Sequence, residues 1–144
     1  MADWNTNLIA QLRSNRGEIA SGPMAGRNLL VLTTTGARSG EPREAVLTYS
    51  RDGDRFVVCA TAGGSPLAPA WFHNIEANPT VRIEAKGQAF QARATVVDDT
   101  KRQTLWDRHV AERPEFAEYP EKSGRVIPVI TLEPIGPDQS RTPT

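Results

Sequence analysis

The chain has 144 residues with 17 basic against 17 acidic side chains and a pI near 6.7, so it fits one domain able to bury a core without staples and lacks the broad basic footprint of a nucleic-acid binder. Cys59 is the single cysteine, which rules out an intrachain disulfide and a cysteine cluster for zinc or iron–sulfur. No apolar run approaches the roughly 18 to 20 residues of a membrane span, and Asp3 with polar neighbours stands where a signal peptide would be basic and then apolar, so a soluble, cytoplasmic protein without an integral membrane segment is expected.

Asp3 can cap a first helix whose Trp4, Leu8 and Leu12, widened by Ile9, form a core-docking stripe; its polar face is not basic enough to favour a membrane anchor. Gly17 to Arg27 reads as a connector in which Glu18 to Ala20 could pair briefly. Leu29 to Leu32 is a short β-rich run, and Gly36, Gly40 and Pro42 punctuate a hairpin-like connection to a second strand at Glu44 to Ser50. The turn signal Arg51-Asp52-Gly53-Asp54 then predicts an antiparallel hairpin between Glu44–Ser50 and Arg55–Thr61. Pro69 opens a helix through Ala77, before Asn78-Pro79. Val81 to Lys86 and Phe90 to Val96 alternate in polarity around Gly87, a second hairpin. Asp98 or Asp99 caps the next helix, which carries Leu105, Trp106, His109 and Val110 and is broken by Pro114; Phe116 and Tyr119 follow. Ile127 to Leu132 is a last strand, placed by Pro128 at or near a sheet edge, and a frayed tail is expected from Pro134.

About six short strands joined mainly by hairpins, with helices between them, predict a mainly β (α+β) fold built on an antiparallel barrel with flanking helices, not a doubly wound parallel sheet. The expected division is a helix and connector over 1–27, a barrel domain over 28–134 and a flexible tail over 135–144. There is no Gly-x-Gly-x-x-Gly fingerprint for NAD and no Walker loop.

Chemistry concentrates in two stretches. In Leu29 to Arg43 an apolar strand runs into hydroxyls, glycines and guanidiniums, and Arg38, Ser39 and Arg43 on one loop could bind a phosphate with help from Thr34 and backbone N–H groups; a solvated turn is the other reading. In Thr61-Ala62-Gly63-Gly64-Ser65-Pro66 the paired glycines allow close approach to a flat ligand, or simply let the chain leave the sheet. The helix entry Pro69-Ala70-Trp71-Phe72-His73-Asn74 adds aromatic surface and hydrogen-bonding groups. His73 and His109 are the only histidines, too few for a histidine-rich metal site, and Cys59 sits in an apolar run that favours burial over nucleophilic use. Asp52/Asp54 and Asp98/Asp99 suit a turn and a helix start better than an acid/base pair.

Leu-Thr-Thr-Thr-Gly-Ala-Arg-Ser-Gly-Glu-Pro-Arg at 32 to 43, Ala-Thr-Ala-Gly-Gly at 60 to 64 and Pro-Ala-Trp-Phe-His-Asn-Ile-Glu-Ala-Asn-Pro at 69 to 79 together resemble the deazaflavin-dependent nitroreductase family, a likeness extending from about Asn28 to Pro134. The resemblance implies a split β-barrel like that of FMN-binding flavin reductases and the deazaflavin coenzyme F-420. It matches Ala37, Arg38 and Ser39 to the phosphate-contacting turn and Arg43 to a motif arginine beside it. It also matches Ala45 and Val46 to the strand next to the cofactor, Ala60, Thr61 and Ala62 to the loop along it, and Ala70, Trp71, Phe72, His73 and Asn74 to the helix entry that closes over it. Ala37 stands where the motif usually has a basic residue, Ala62 where some members place lysine, and Phe72 where tyrosine is common. Tyr119 resembles a tyrosine of the substrate-lining segment and Phe116, like Arg113, replaces one, so Phe116 and Tyr119 become expected acceptor contacts and Tyr119 a proton donor. The implied activity is hydride transfer from reduced F-420 to a small-molecule acceptor: an enone, a coumarin-like lactone, a quinone or a nitroaromatic. The alternatives are an FMN-dependent split-barrel reductase and a non-enzymatic carrier of deazaflavin, haem or fatty acid, as monomer or homodimer and without nucleic acid.

Overall fold

The computed structural model describes residues 4–14, 28–61, 69–120, 124 and 126–137. Asp3, the connector expected over Gly17 to Arg27, the Ala62 to Pro66 loop and the tail beyond Pro137 lie outside the described residues, as does the side chain of Trp4. The elements are α1 (Trp4–Ser14), β1 (Leu29–Thr35), β2 (Pro42–Thr48), β3 (Ser50–Asp52), β4 (Arg55–Cys59), α2 (Ala70–Ala77), β5 (Thr80–Ala85), β6 (Gln88–Val96), α3 (Asp99–Glu112), a 3-10 helix (Pro114–Glu118) and β7 (Val129–Pro137).

Seven strands pair antiparallel in the order β2-β1-β5-β6-β7-β4-β3. The two edge strands, β2 and β3, are separated in the chain by Tyr49 alone. One covalent bend therefore joins opposite edges of the sheet, which must roll up to allow it, and the result is a split barrel. The expected count of six differs because Glu44–Ser50 is not one strand. The run Pro42–Thr48 pairs with β1, from Leu29 opposite Thr48 to Thr35 opposite Pro42, and only Ser50–Asp52 pairs with Arg55–Val57. Tyr49 turns inward at the bend, 4% exposed, with its ring edge-on to Phe56 at 5.1 Å.

Alternation sorts side chains to the two faces. Leu30, Leu32, Phe56, Val58, Ile83, Ile130 and Leu132 fill the barrel, and α2 adds Trp71 and Ile75 to the same core. On the outer face Val57, Cys59 and Val129 are covered by Leu105 and Trp106 of α3 with Phe116 and Ile127, while Leu29 and Val31 are covered by Leu8, Ile9 and Leu12 of α1. Covered on both faces, β1 reads as an unbroken Leu-Leu-Val-Leu run. The stripe of α1 is thus a docking face, and among the described residues no helix is long and apolar enough to cross a membrane.

Local signals mostly hold. Asp98 caps α3 by accepting from the Lys101 N–H at 3.1 Å, and Lys86 and Gly87 both take positive φ in the two-residue β5–β6 turn. The edge placement inferred from Pro128 does not hold: β7 is central, between β6 and β4, and starts one residue after that proline. Nor does the chain leave the sheet at Pro134. β7 runs to Pro137 across a bulge, with Ala92 opposite Pro134 and Gln91 opposite Gly136, so Ile135 is the extra residue. β4 pairs with β7 only as far as Leu132, and Pro134 forfeits no ladder bond on that side.

α1 is also tied down by charge. Arg13 grips Glu84 through Nε–Oε1 at 3.0 Å and Nη2–Oε2 at 2.8 Å, and the same Nη2 reaches Glu44. Arg82 donates to Glu84 at 2.7 Å. Burial pushes the Glu84 carboxyl up, but the hydrogen bond from Arg13 and the charges of Arg82 and Arg13 outweigh it and leave the carboxyl below its ordinary value. The folded chain then holds its proton less readily than the unfolded one, so this contribution is complete above the unfolded value and is lost as pH falls through the folded one. Thermal melts from pH 7 to pH 3 should show a smaller acid loss of Tm in Glu84→Gln than in wild type.

Candidate functional site

The loop between β1 and β2 is a closed, self-bonded turn. The Gly36 N–H donates to the Glu41 carbonyl at 2.8 Å and the Gly40 N–H to the Gly36 carbonyl at 2.9 Å. Ser39 Oγ accepts from the Glu41 N–H at 3.2 Å and from Arg43 Nη2 at 3.4 Å. Gly40 sits at φ +71°, the left-handed region that favours glycine, and a Cβ on Gly36 would stand 2.5 Å from Ser39 Oγ and 3.3 Å from the Glu41 carbonyl, so a side chain there would displace Ser39.

Asn74 of α2 fastens this turn to the barrel. Its Oδ1 accepts from the Ala37 N–H and its Nδ2 donates to Thr34 Oγ1, both at 3.0 Å. Thr34 is 2% exposed and Asn74 7%, so the bond between them is shielded from competing water, while the bond to the exposed Ala37 is partly buried. Asn74 can face β1 because Trp71 and Ile75, flanking it on the helix, are the residues α2 buries in the core.

Beside the turn lies a concavity of about 640 Å³ lined by Gly36 to Ser39, Arg43 to Ala45, and Ala70, Trp71, His73 and Asn74. The structure therefore brings together Ala37, Arg38, Ser39, Arg43, Ala45, Ala70, Trp71, His73 and Asn74 of the expected cofactor residues. Arg38 is exposed and has no hydrogen bond or ion pair with any described residue, whereas Arg43 has only Ser39 and a distant Glu41 carboxylate at 3.7 Å. Small side chains at Ala37, Ala45 and Ala70 leave room for a flat body, and two guanidiniums with spare donors suit a phosphate. The residues present fit a phosphate-bearing ring cofactor.

Other expected residues stand elsewhere. Val46 points to the opposite face from Ala45 and packs towards α1. Phe72 packs on the barrel core with its ring edge-on to His73 at 5.8 Å, and does not line the concavity. Ala60 is fully buried in that core and Thr61 half-buried at the end of β4; neither lines it, and Ala62 is outside the described residues. Phe116 and Tyr119 lie under α3. Phe116 is 8% exposed, stacked edge-on to His109 at 4.7 Å and against Tyr119 at 5.1 Å. His109 itself is buried and shares a 2.8 Å hydrogen bond with Ser50, tying α3 to β3. Cys59 is buried, and desolvation pushes its thiol up to about 12, which removes it as a nucleophile at neutral pH. No group of three or more potential metal ligands occurs among the described residues. Sequence reasoning missed the close packing at Gly36 and the inward role of Asn74; Gly-x-x-x-Gly spacing signalled the first, and nothing local signalled the second.

The fold is thus a split barrel with a guanidinium-bearing turn beside an open concavity, an arrangement that suits a phosphate-bearing ring cofactor. The chain belongs to the F-420H(2)-dependent quinone reductase family, whose pattern matches residues 4–134. It is 39% identical over 108 residues to an F-420H(2)-dependent quinone reductase of Mycobacterium tuberculosis strain H37Rv, covering 72% of this chain and 71% of that one. It is similar to the solved structure of an F-420-H2 dependent reductase, with TM-score 0.68 and 33% identity over 74% of this chain and 95% of that one. A solved domain-swapped dimer matches at TM-score 0.70 and 29% identity, covering 89% of this chain and 93% of that one. Family membership makes the protein an oxidoreductase whose cofactor is coenzyme F-420.

If Asn74 holds the turn, Asn74→Ala should cost about 1–3 kcal/mol in urea unfolding, because it strands a buried hydroxyl and the Ala37 N–H. Hydrogen exchange at Ala37 should speed up beyond what that global loss explains.

Proposed function

We propose that the protein transfers hydride from reduced F-420 to a quinone, with enones, coumarin-like lactones and nitroaromatics as further electron-poor acceptors of the same site. The observation that carries this reading is the unpaired Arg38 beside Arg43 on a turn that Asn74 holds rigid at the rim of the concavity. Arg38 and Arg43 bind the phosphate, with Ser39 orienting Arg43. Ala45, Ala70 and Trp71 give the ring an apolar surface, and His73 marks the solvent rim, its side chain 63% exposed. When bound, the reduced deazaflavin supplies a hydride from C5 and is a poor one-electron carrier. The chain's own residues contribute binding and orientation, and no protein nucleophile is needed.

The basic side chain absent at Ala37 is offset in part by geometry, since the Ala37 N–H locks the turn and presents Arg38 in a fixed place. The proton for the reduced acceptor is assigned to solvent, because Tyr119 packs on Phe116 away from the residues that line the concavity. Tyr119→Phe should accordingly leave quinone turnover close to wild type.

Separate titrations with F-420 and FMN test the cofactor, and a wide preference for FMN would overturn the reading. Arg38→Ala should weaken F-420 binding by about 1.5–3 kcal/mol, the worth of a charged hydrogen bond, with the melting temperature unchanged. Equal affinity of variant and wild type at one salt concentration would return Arg38 to a solvated turn. Steady-state rates with a quinone, an enone and a nitroaromatic would then rank the acceptors.

A further inference from the structure

A second hollow, of about 490 Å³, lies between α3 and the segment that leads into β7, and shares no lining residue with the concavity beside the β1–β2 turn. Arg102 and Trp106, one helical turn apart on α3, line it together with Pro120, Gly124, Val126 and Ile127. The Gly124 N–H closes a turn onto the Pro120 carbonyl at 3.1 Å and so shapes the wall that faces α3. Most of this lining is apolar. Trp106 and Ile127 are buried in one cluster, and Val126, 66% exposed, is the most exposed large apolar side chain among the described residues. Arg102 is the exception. Its side chain is only 23% exposed, and its Nε is buried without a hydrogen-bond partner among the described residues. The carboxylate of Asp99 is fully exposed and stands 3.9 Å from that Nε, beyond hydrogen-bond distance. Gln103, which also lines the hollow, is neutral and donates to Asp107 at 2.8 Å, and no described Asp or Glu lines it.

We infer that this hollow binds a small apolar carboxylic acid in its ionised form, with the carboxylate accepting from Arg102 Nε and the hydrocarbon body lying on Trp106, Pro120 and Val126. Charge and burial together select that class. A buried guanidinium donor left unbonded is costly, and a carboxylate relieves it with a charge-assisted hydrogen bond. An apolar body covers Val126, whereas a wholly polar anion would leave it in water and a neutral apolar molecule would leave Nε unbonded. The volume falls in the range of about 300 to 1,000 Å³ typical of small-molecule sites. The inference does not rest on the reading of Arg38 and Arg43, since the two sites have no residue in common.

The test is a titration of the full chain with sodium octanoate at neutral pH, followed by the Arg102 Nε–H and Trp106 indole N–H resonances. Both should shift with octanoate, while the Ala37 amide and the Trp71 indole, which belong to the other concavity, stay in place. Octanamide has the same size without the charge and should bind about tenfold more weakly. Arg102→Gln should abolish that preference, bringing octanoate down to about the affinity of octanamide. Val126→Ser should weaken both compounds alike by about threefold, because it removes apolar contact and leaves the guanidinium untouched. Octanoate that produces no shift up to about 5 mM, weaker than any specific site would be, overturns the inference. Equal affinity of wild type for the two compounds overturns it as well, and so do shifts at Ala37 and Trp71 in place of Arg102 and Trp106. If Arg102→Gln fails to fold, Val126→Glu decides instead: at so exposed a position it leaves the fold intact and sets a carboxylate of the chain beside Arg102, so octanoate binding should be lost, and unchanged binding counts against.

Discussion

The site depends on one side-chain amide. Asn74 accepts from the backbone of the β1–β2 turn with one end and donates to the buried Thr34 hydroxyl with the other, so α2 is fastened to the end of β1 and the turn after it, about forty residues earlier in the chain. Fixed to α2, the turn holds its two arginines in place before any ligand arrives, and a ligand of the kind proposed above would pay less to order them. Burial of the amide matters as much as its presence, since a hydrogen bond of this kind is weak where water competes and costly to break where water is excluded.

The barrel supplies the fixed frame. Because β2 and β3 are consecutive in the chain yet lie at opposite ends of the strand order, the edge that bears the β1–β2 turn cannot drift from the rest of the sheet without unrolling it. Side-chain alternation along β2 then assigns each residue a task. Arg43 and Ala45 face the concavity, while Val46 secures the strand to α1 from behind.

Helix α3 and the 3-10 helix form a second, separate packing unit on the outer face. Trp106, Phe116 and Ile127 bury Val57, Cys59 and Val129, and His109 with Ser50 registers α3 against β3. Phe116 belongs to this cluster, with Tyr119 packed against it. Two aromatic residues after a proline break look the same in sequence whether they face a pocket or a core, and the packing of Phe116 with Val57 and Cys59 comes from the tertiary structure alone.

The sequence by itself determined what short-range chemistry can encode. Alternating polarity marked β5 and β6, Asp98 the start of α3, and Gly36, Gly40 and Pro42 the turn between the first two strands, because each signal lies within a few residues of the structure it specifies. Three motifs in order were enough to reach the family, its barrel and its cofactor. The tertiary structure alone decided that the run after Pro42 breaks at Tyr49, that β7 lies in the middle of the sheet, that Asn74 points inward to Ala37, and that Arg13 reaches Glu44. Each of these joins residues tens of positions apart, and no local periodicity reports a partner that only closure of the barrel brings within reach.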